Sequence, residues 1–207
     1  VFDVSNPSNP VLISRLYHRG RGRSIEVSGS LAYLADCESG LLIINISDPY
    51  NPVLMGICDT PGSAYDIALN GSLAYVADSS SGLQIIDITN PLKPRLVGSI
   101  DTPGDATGVF VSEGYAYIAD GPSGIQIVAV TNPAMPVLVC SFDTPGRAIA
   151  VFITGTLAYV ADNWAGMLIL DVTDKSAPFQ VAQFPTQFRS IDVWVEGSYA
   201  YLIDNKV

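Results

Sequence analysis

Five aspartates recur at a fixed spacing of 42 residues, and each closes the same short motif. In every copy an Ala-Tyr pair and two apolar or small residues precede the aspartate, at Asp36, Asp78, Asp120, Asp162 and Asp204. Carboxylates repeated around one rim could bind Ca²⁺ or a polar ligand. An aspartate after a strand more often caps its own turn, by accepting from backbone N–H groups two or three residues on. We expect the cap, because a residue present in every copy usually has a structural role within that copy. We also expect no cofactor.

The loops beside these aspartates change from copy to copy. Small polar residues fill most of them, but one contains a tryptophan, and the position after the preceding turn alternates between arginine, serine and aspartate. Variable loops on a repeated scaffold are typical of recognition surfaces. A large aromatic residue there could stack on a sugar ring or anchor a peptide; alternatively it folds onto its own rim. The candidate ligand-binding residues on this loop face are Trp164, Asn163, Arg147, Arg189, Arg21 and Asp105.

A second pair of carboxylates lies within the first strand of two copies. Asp66 and Asp192 share one repeat position, where the other copies have serine, glycine or alanine. They are candidates for the wall of a central channel, either as ligand contacts or as partners in structural hydrogen bonds. Arg19, Arg21 and Arg23 form a basic patch that is either a solvated loop or a contact for acidic groups.

Little in the sequence points to catalysis. His18 is the only histidine, so a histidine-based triad or metal cluster is excluded. No glycine-rich phosphate loop or nucleophile elbow is present. Paired carboxylates are the machinery of glycoside hydrolases, so a hydrolase stays as the least favoured alternative. We expect a protein that is not an enzyme.

Each copy contains the signals for four short strands. In the copy from Asp59 to Ile100, the Thr60-Pro61-Gly62 segment predicts a type II turn, and Asn70-Gly71 predicts a tight hairpin. The predicted strands are 64–69, 73–77, 83–88 and 95–100. The third is nearly all apolar, which favours burial on both faces. A proline before the fourth predicts that this strand is an edge.

Four strands in about 40 to 45 residues correspond to one propeller blade. The sequence therefore predicts an all-β fold, a β-propeller built from five four-stranded repeats of 42 residues. A stack of β-sandwich domains is the alternative, but such domains need about 100 residues each. The predicted blade units are 1–17 (partial), 18–58, 59–100, 101–142, 143–184 and 185–207 (partial).

The two partial units leave two arrangements open. Strands from both termini could share one blade and close a five-bladed ring, which we expect to be monomeric. Otherwise the chain is part of a ring of six to eight blades. We favour the second arrangement, because the final copy stops before the glycine that leads into its third strand.

Composition restricts the partners. The net charge is −10, which argues against nucleic acid and against anionic lipid surfaces. No run of 18 apolar residues occurs, so we expect no membrane insertion in this segment. Cys37, Cys58 and Cys140 are odd in number and lack metal-ligand spacing, so we interpret them as small apolar residues near the core.

The segment from Gly82 to Pro91 resembles the LVIVD repeat, as do the copies that begin at Gly40, Gly124 and Gly166. The resemblance spans essentially the whole chain, with departures at Ala129, Lys175, 18–20 and 186–188. Such proteins are bacterial and archaeal surface or secreted proteins predicted to be propellers. The resemblance therefore implies an extracellular or cell-surface location and leaves the ligand open. We expect a binding or adhesion protein with a protein or glycan partner at the loop face, or alternatively a structural spacer.

Overall fold

The computed structural model describes residues 1–206, which form twenty β-strands. The strands make four four-stranded sheets and two terminal hairpins. The N-terminal hairpin is β1 (Phe2–Asp3) and β2 (Val11–Leu12), and the C-terminal hairpin is β19 (Arg189–Glu196) and β20 (Tyr199–Asn205). None of these residues lies in a helix long and apolar enough to cross a membrane.

Each complete sheet is one repeat unit, and its four strands follow chain order. The first unit contains β3 (Gly22–Ser28), β4 (Leu31–Asp36), β5 (Gly40–Asn45) and β6 (Val53–Cys58). The second contains β7 (Asp66–Asn70), β8 (Leu73–Ala77), β9 (Leu83–Asp87) and β10 (Arg95–Ile100). The third contains β11 (Gly108–Ser112), β12 (Tyr115–Ala119), β13 (Ile125–Ala129) and β14 (Val137–Phe142). The fourth contains β15 (Ala150–Thr154), β16 (Leu157–Ala161), β17 (Met167–Asp171) and β18 (Phe179–Phe184).

The strand order confirms that the fourth strand of each unit is an edge. The predicted second and fourth strands match β8 and β10, and the hairpin at Asn70-Gly71 joins β7 to β8. The first strand starts at Asp66 rather than at residue 64, because the chain is still leaving the turn there. Local turn and alternation signals therefore place these strands to within two residues.

The units stack so that their first strands lie side by side. β3 contacts β7, β7 contacts β11, β11 contacts β15, and β15 contacts β19. Short backbone bridges also join neighbouring units, and they pair Ser79 with Ala106, Gly121 with Ala148 and Asn163 with Ser190. The first strands are thus the inner strands of the stack, and the fourth strands form its outside.

Apolar side chains from facing sheets make the core. Tyr33 and Ile43 of the first unit pack against Ile67 and Val76 of the second. The third strand is buried on both faces, as expected, because neighbouring sheets cover it from each side. All three cysteines are free thiols, and Cys37 and Cys58 are buried, in agreement with their predicted role.

The two terminal hairpins do not share a sheet. Within residues 1–206, β1 pairs only with β2, and β19 pairs only with β20. The arrangement in which both termini complete one blade is therefore not formed. The inner strand of the first unit is partly uncovered: Ile25 is 59% exposed, whereas Ile67, one repeat later, is 2% exposed. The chain is an all-β stack of four-stranded repeats with a propeller-like arrangement.

Candidate functional site

The repeated aspartates fasten the turn that precedes each unit. Asp78 accepts from the Thr60 hydroxyl through Oδ1 at 2.6 Å and from the Gly62 N–H through Oδ2 at 2.8 Å. Asp120 and Asp162 make the same two bonds to the threonine and glycine of their own units. We call this Thr-Pro-Gly to Asp arrangement the clasp. It joins the start of a unit to the end of its second strand.

The clasp corrects two expectations. These three aspartates do not cap their own loops; they accept from groups 16 and 18 residues earlier. The turn glycine is also not in the left-handed region that a type II turn requires, since Gly62 has no positive φ. Glycine is needed instead because a Cβ at Gly62 would collide with the backbone oxygen of Asp78.

The two altered copies show what the clasp depends on. In the first, His18 replaces the threonine, and its Nδ1 lies 2.8 Å from Asp36. Here the aspartate does cap its own loop, since it accepts from the Glu38 N–H at 3.1 Å. In the last, Phe188 stands where the glycine would be, and Asp204 accepts from the Ser190 hydroxyl instead. In this copy the turn threonine, Thr186, donates to the Phe188 carbonyl and not to the aspartate.

The repeated carboxylates of the first four copies are buried in the protein. Asp36, Asp78, Asp120 and Asp162 have no exposed surface. Burial raises the pKa of Asp78, Asp120 and Asp162, and their hydrogen bonds only partly oppose that rise. The structure gives these carboxylates a structural role, and Asp204 alone of the five is exposed.

The free energy of unfolding is expected to increase when the pH falls from 7 to about 5. The buried clasp carboxyls and the partly buried Asp66 and Glu26 have raised pKa values, so the folded protein takes up protons before the unfolded chain does. Below about pH 4 the trend reverses, because Asp87 has a pKa lowered to about 2 by hydrogen bonds from Thr89.

Urea denaturation at about pH 7, 5 and 3 measures this dependence. An Asp120→Asn variant is the control, and it should show a smaller increase between neutral and mildly acidic pH. A free energy of unfolding that stays flat or falls over that interval would contradict the expectation.

On the loop face the predicted residues form two separate pairs across neighbouring units. The Arg189 guanidinium lies 4.8 Å from the ring centroid of Trp164, which is 61% exposed. Arg147 donates to Asp105 at 2.9 Å. Asn163 has a left-handed backbone with φ of 49°. The structure thus joins Trp164 to Arg189, but it gives Arg147 a different partner.

The basic patch is also partly neutralised within the protein. Arg21 forms an ion pair with Glu38 of its own unit at 2.9 Å. Arg23 stacks over the Tyr65 ring, with its guanidinium carbon 4.9 Å from the centroid, and its Nε lies 3.3 Å from the Cys37 sulfur. Arg23 therefore belongs to the inner strands and not to the outer loop.

The inner strands line an open cavity of about 500 Å³. Asp66 and Asp192 line it, as their repeat position suggested, and they are joined by Glu26. None of the six loop-face candidates lines it. A smaller cavity of about 200 Å³ adjoins it through shared residues, with Arg23 and Tyr65 in its wall. The channel and the outer loops are therefore distinct candidate sites.

An aromatic row forms part of the channel wall. The ring centroids of Phe110 and Phe152 are 5.0 Å apart, and those of Phe152 and Trp194 are 4.8 Å apart. These residues occupy one repeat position, which is Glu26 in the first unit. Sequence reasoning missed them, although one signal was available. This repeat position changes between acidic, small and aromatic residues, while the positions directly before and after it in the strand stay apolar.

Burial and neighbouring charge act together on the channel carboxylates. Asp66 accepts from the Val109 N–H of the next unit at 2.9 Å. Burial raises the pKa of Asp66, and the charge of Asp192 adds to that rise. Burial also raises the pKa of Glu26, and Asp66 contributes in the same direction. The charge of Asp192 therefore acts on Asp66, and the charge of Asp66 acts on Glu26, within one cavity.

Comparison with solved structures supports the fold alone, because the three structures described below are at most 18% identical to this chain. A functionally unknown protein from Desulfotomaculum acetoxidans is 18% identical, with a TM-score of 0.74 over 88% of this chain and 62% of that chain. The computationally designed Ika8 protein is 7% identical, with a TM-score of 0.73 over 90% of this chain and 56% of that chain. The designed Ika4 protein is 10% identical, with a TM-score of 0.62 over 76% of this chain and 95% of that chain.

Sequence comparison identifies the repeat. No curated protein matches the chain. The LVIVD repeat matches six consecutive segments: 1–17, 19–60, 61–102, 103–144, 145–186 and 189–206. These matches cover nearly the whole chain and follow the stacked units of the structure. The chain belongs to the LVIVD repeat family.

Proposed function

We propose that this chain is a non-catalytic binding module, outside the cell or on its surface, whose ligand binds in the central channel. One observation carries the proposal: the polar and aromatic residues that line the 500 Å³ cavity come from two repeat positions whose residues change from unit to unit. Repeat proteins usually place recognition at positions that vary on a constant scaffold. The volume also falls in the range of ligand pockets, about 300 to 1,000 Å³.

The proposal extends to the architecture. We take the units as blades of a β-propeller with six to eight blades, in which further blades would cover the inner face around Ile25. The exposure of Ile25 supports this arrangement, because the same position is buried wherever a blade precedes it.

The partner is a glycan, a peptide or a protein that approaches from the loop face. The smaller cavity supports this direction, because its wall contains Arg23 and Tyr65. These residues lie two positions after Arg21 and Ser63, which follow the turns on the loop face. A structural spacer is the second candidate. It is favoured by the Arg147–Asp105 and Arg189–Trp164 pairs, which occupy the loop-face side chains with contacts between units.

Array screening of the protein and two variants tests the proposal. Trp194→Ala removes a channel residue, and Trp164→Ala removes a loop-face residue of the same type. We expect glycan or peptide binding that is lost in the first variant and kept in the second. Loss in the second variant alone would move the site to the loop face. Absence of binding by a folded protein would favour the spacer.

A further inference from the structure

The larger channel cavity is acidic. Its wall contains the three carboxylates of Glu26, Asp66 and Asp192 and no lysine, arginine or histidine. The carboxylates come from three different inner strands, so the charge belongs to the channel as a whole. An anionic ligand would meet repulsion in a partly desolvated space, where charges interact more strongly than in water. A cationic ligand would relieve the repulsion between the carboxylates themselves.

Another part of the wall is aromatic. Phe110, Phe152 and Trp194 form a continuous row of tilted rings, and Trp194 keeps 60% of its surface exposed. The face of an aromatic ring carries negative charge density and attracts cations, and tryptophan does so best. Carboxylates and ring faces in one cavity favour the same sign of charge on the ligand.

The cavity suits an organic cation better than a metal ion. Within residues 1–206, no three acidic, histidine or cysteine side chains lie close enough together to hold a metal. A space of about 500 Å³ also exceeds what one ion needs. Its polar and apolar walls match a molecule with an alkyl part and a charged nitrogen.

We propose that the channel binds an organic ammonium ion, held by the carboxylates of Asp66, Asp192 and Glu26 and by the ring faces of Phe152 and Trp194. The inference rests on the proposed channel site and assigns that site a ligand class of its own, a small organic cation. The carboxylates supply the long-range attraction, and the aromatic row selects a cation with weakly hydrated alkyl groups. A primary amine, a polyamine and a quaternary ammonium share this chemistry.

The chain has two tryptophans, so a Trp164→Phe background leaves Trp194 as a fluorescent reporter inside the channel. The probes are choline, spermidine and 3,3-dimethyl-1-butanol, the neutral carbon analogue of choline. We expect a saturable change in Trp194 emission with choline or spermidine. The neutral analogue should need at least about tenfold higher concentration, because it lacks the charge that the carboxylates and rings attract.

Three variants in this background separate the contributions. Asp192→Asn and Phe152→Leu should each weaken cation binding about tenfold, the first by removing a charge and the second by removing a ring while keeping apolar volume. Asp101→Asn removes one exposed carboxylate away from the channel and should leave binding unchanged. Thermal melts confirm that each variant is folded.

The possible failures are distinguishable. If the neutral analogue binds as well as choline, or if Phe152→Leu has no effect, the ammonium inference is wrong while channel binding stands. The same holds if neither cation changes Trp194 emission but a glycan or peptide does. If a ligand acts only through Trp164 in a Trp194→Phe protein, both the inference and the channel site are overturned.

Discussion

Replacing Asp120 with alanine is expected to lower the free energy of unfolding by about 3 kcal/mol. The substitution removes two hydrogen bonds at once, from the Thr102 hydroxyl at 2.6 Å and from the Gly104 N–H at 2.9 Å. Bonds to a charged acceptor contribute about 1.5 to 3 kcal/mol each. The expected loss is smaller than the sum of the two bonds, because burying the ionised carboxylate itself costs free energy. The raised pKa of Asp120, which is caused by burial, reflects that cost.

Denaturant titration of the Asp120→Ala protein measures this loss. Thr102→Val removes only the hydroxyl partner and should cost about 1 to 2 kcal/mol. Asp143→Ala is a matched control, because that aspartate is exposed and should change stability by less than about 0.5 kcal/mol. If Asp120→Ala proves as mild as Asp143→Ala, the clasp does not hold the turn to the sheet.

Replacing Gly98 with alanine is expected to destabilise the protein by about 3 kcal/mol, for a steric reason. Gly98 lies just after the bulge in β10, where the register shifts between Leu96 and Gly98. A Cβ there would collide with the carbonyl oxygen of Pro133 in the next unit. Because the obstacle is backbone, relief requires the two units to move apart.

The chain contains its own comparison for this position. One repeat later, Cys140 replaces the glycine and Lys175 replaces the proline, so a side chain is present where the facing loop has changed. Cys140→Ala should therefore cost less than about 1 kcal/mol. Thermal and denaturant unfolding of both variants decides the point. Equal effects of Gly98→Ala and Cys140→Ala would show that the contact between units is not tight at Gly98.

The extent of sequence-based prediction is clearest in the clasp. The period of 42 residues and the constancy of Asp120 indicated that the aspartate serves its own unit, and that is what the structure shows. The choice of partner was wrong, because a cap within the next few residues is the simplest arrangement that a sequence can suggest. The partners Thr102 and Gly104 approach only after the first two strands have paired.

The lining of the channel was only partly predictable from the sequence. Asp66 and Asp192 were candidates because they share one repeat position at which the other copies have no carboxylate, and both line the cavity. The aromatic row was missed, since Phe110, Phe152 and Trp194 also fit an ordinary buried strand position. Which face of an inner strand borders the channel depends on how the units stack, and that is not visible in the alternation of one strand.

Local sequence signals were enough to predict the repeat, the four strands of each unit, the buried third strand, the edge position of the fourth and the LVIVD resemblance. Those features follow from local signals such as alternation, proline and glycine, which act over a few residues. The folded structure was needed to identify the clasp partners, the pairing of Arg147 with Asp105 and of Arg189 with Trp164, and the lining of the channel. Each of these contacts joins residues that are 16 or more positions apart in the chain, so only the pairing and stacking of sheets could bring them together.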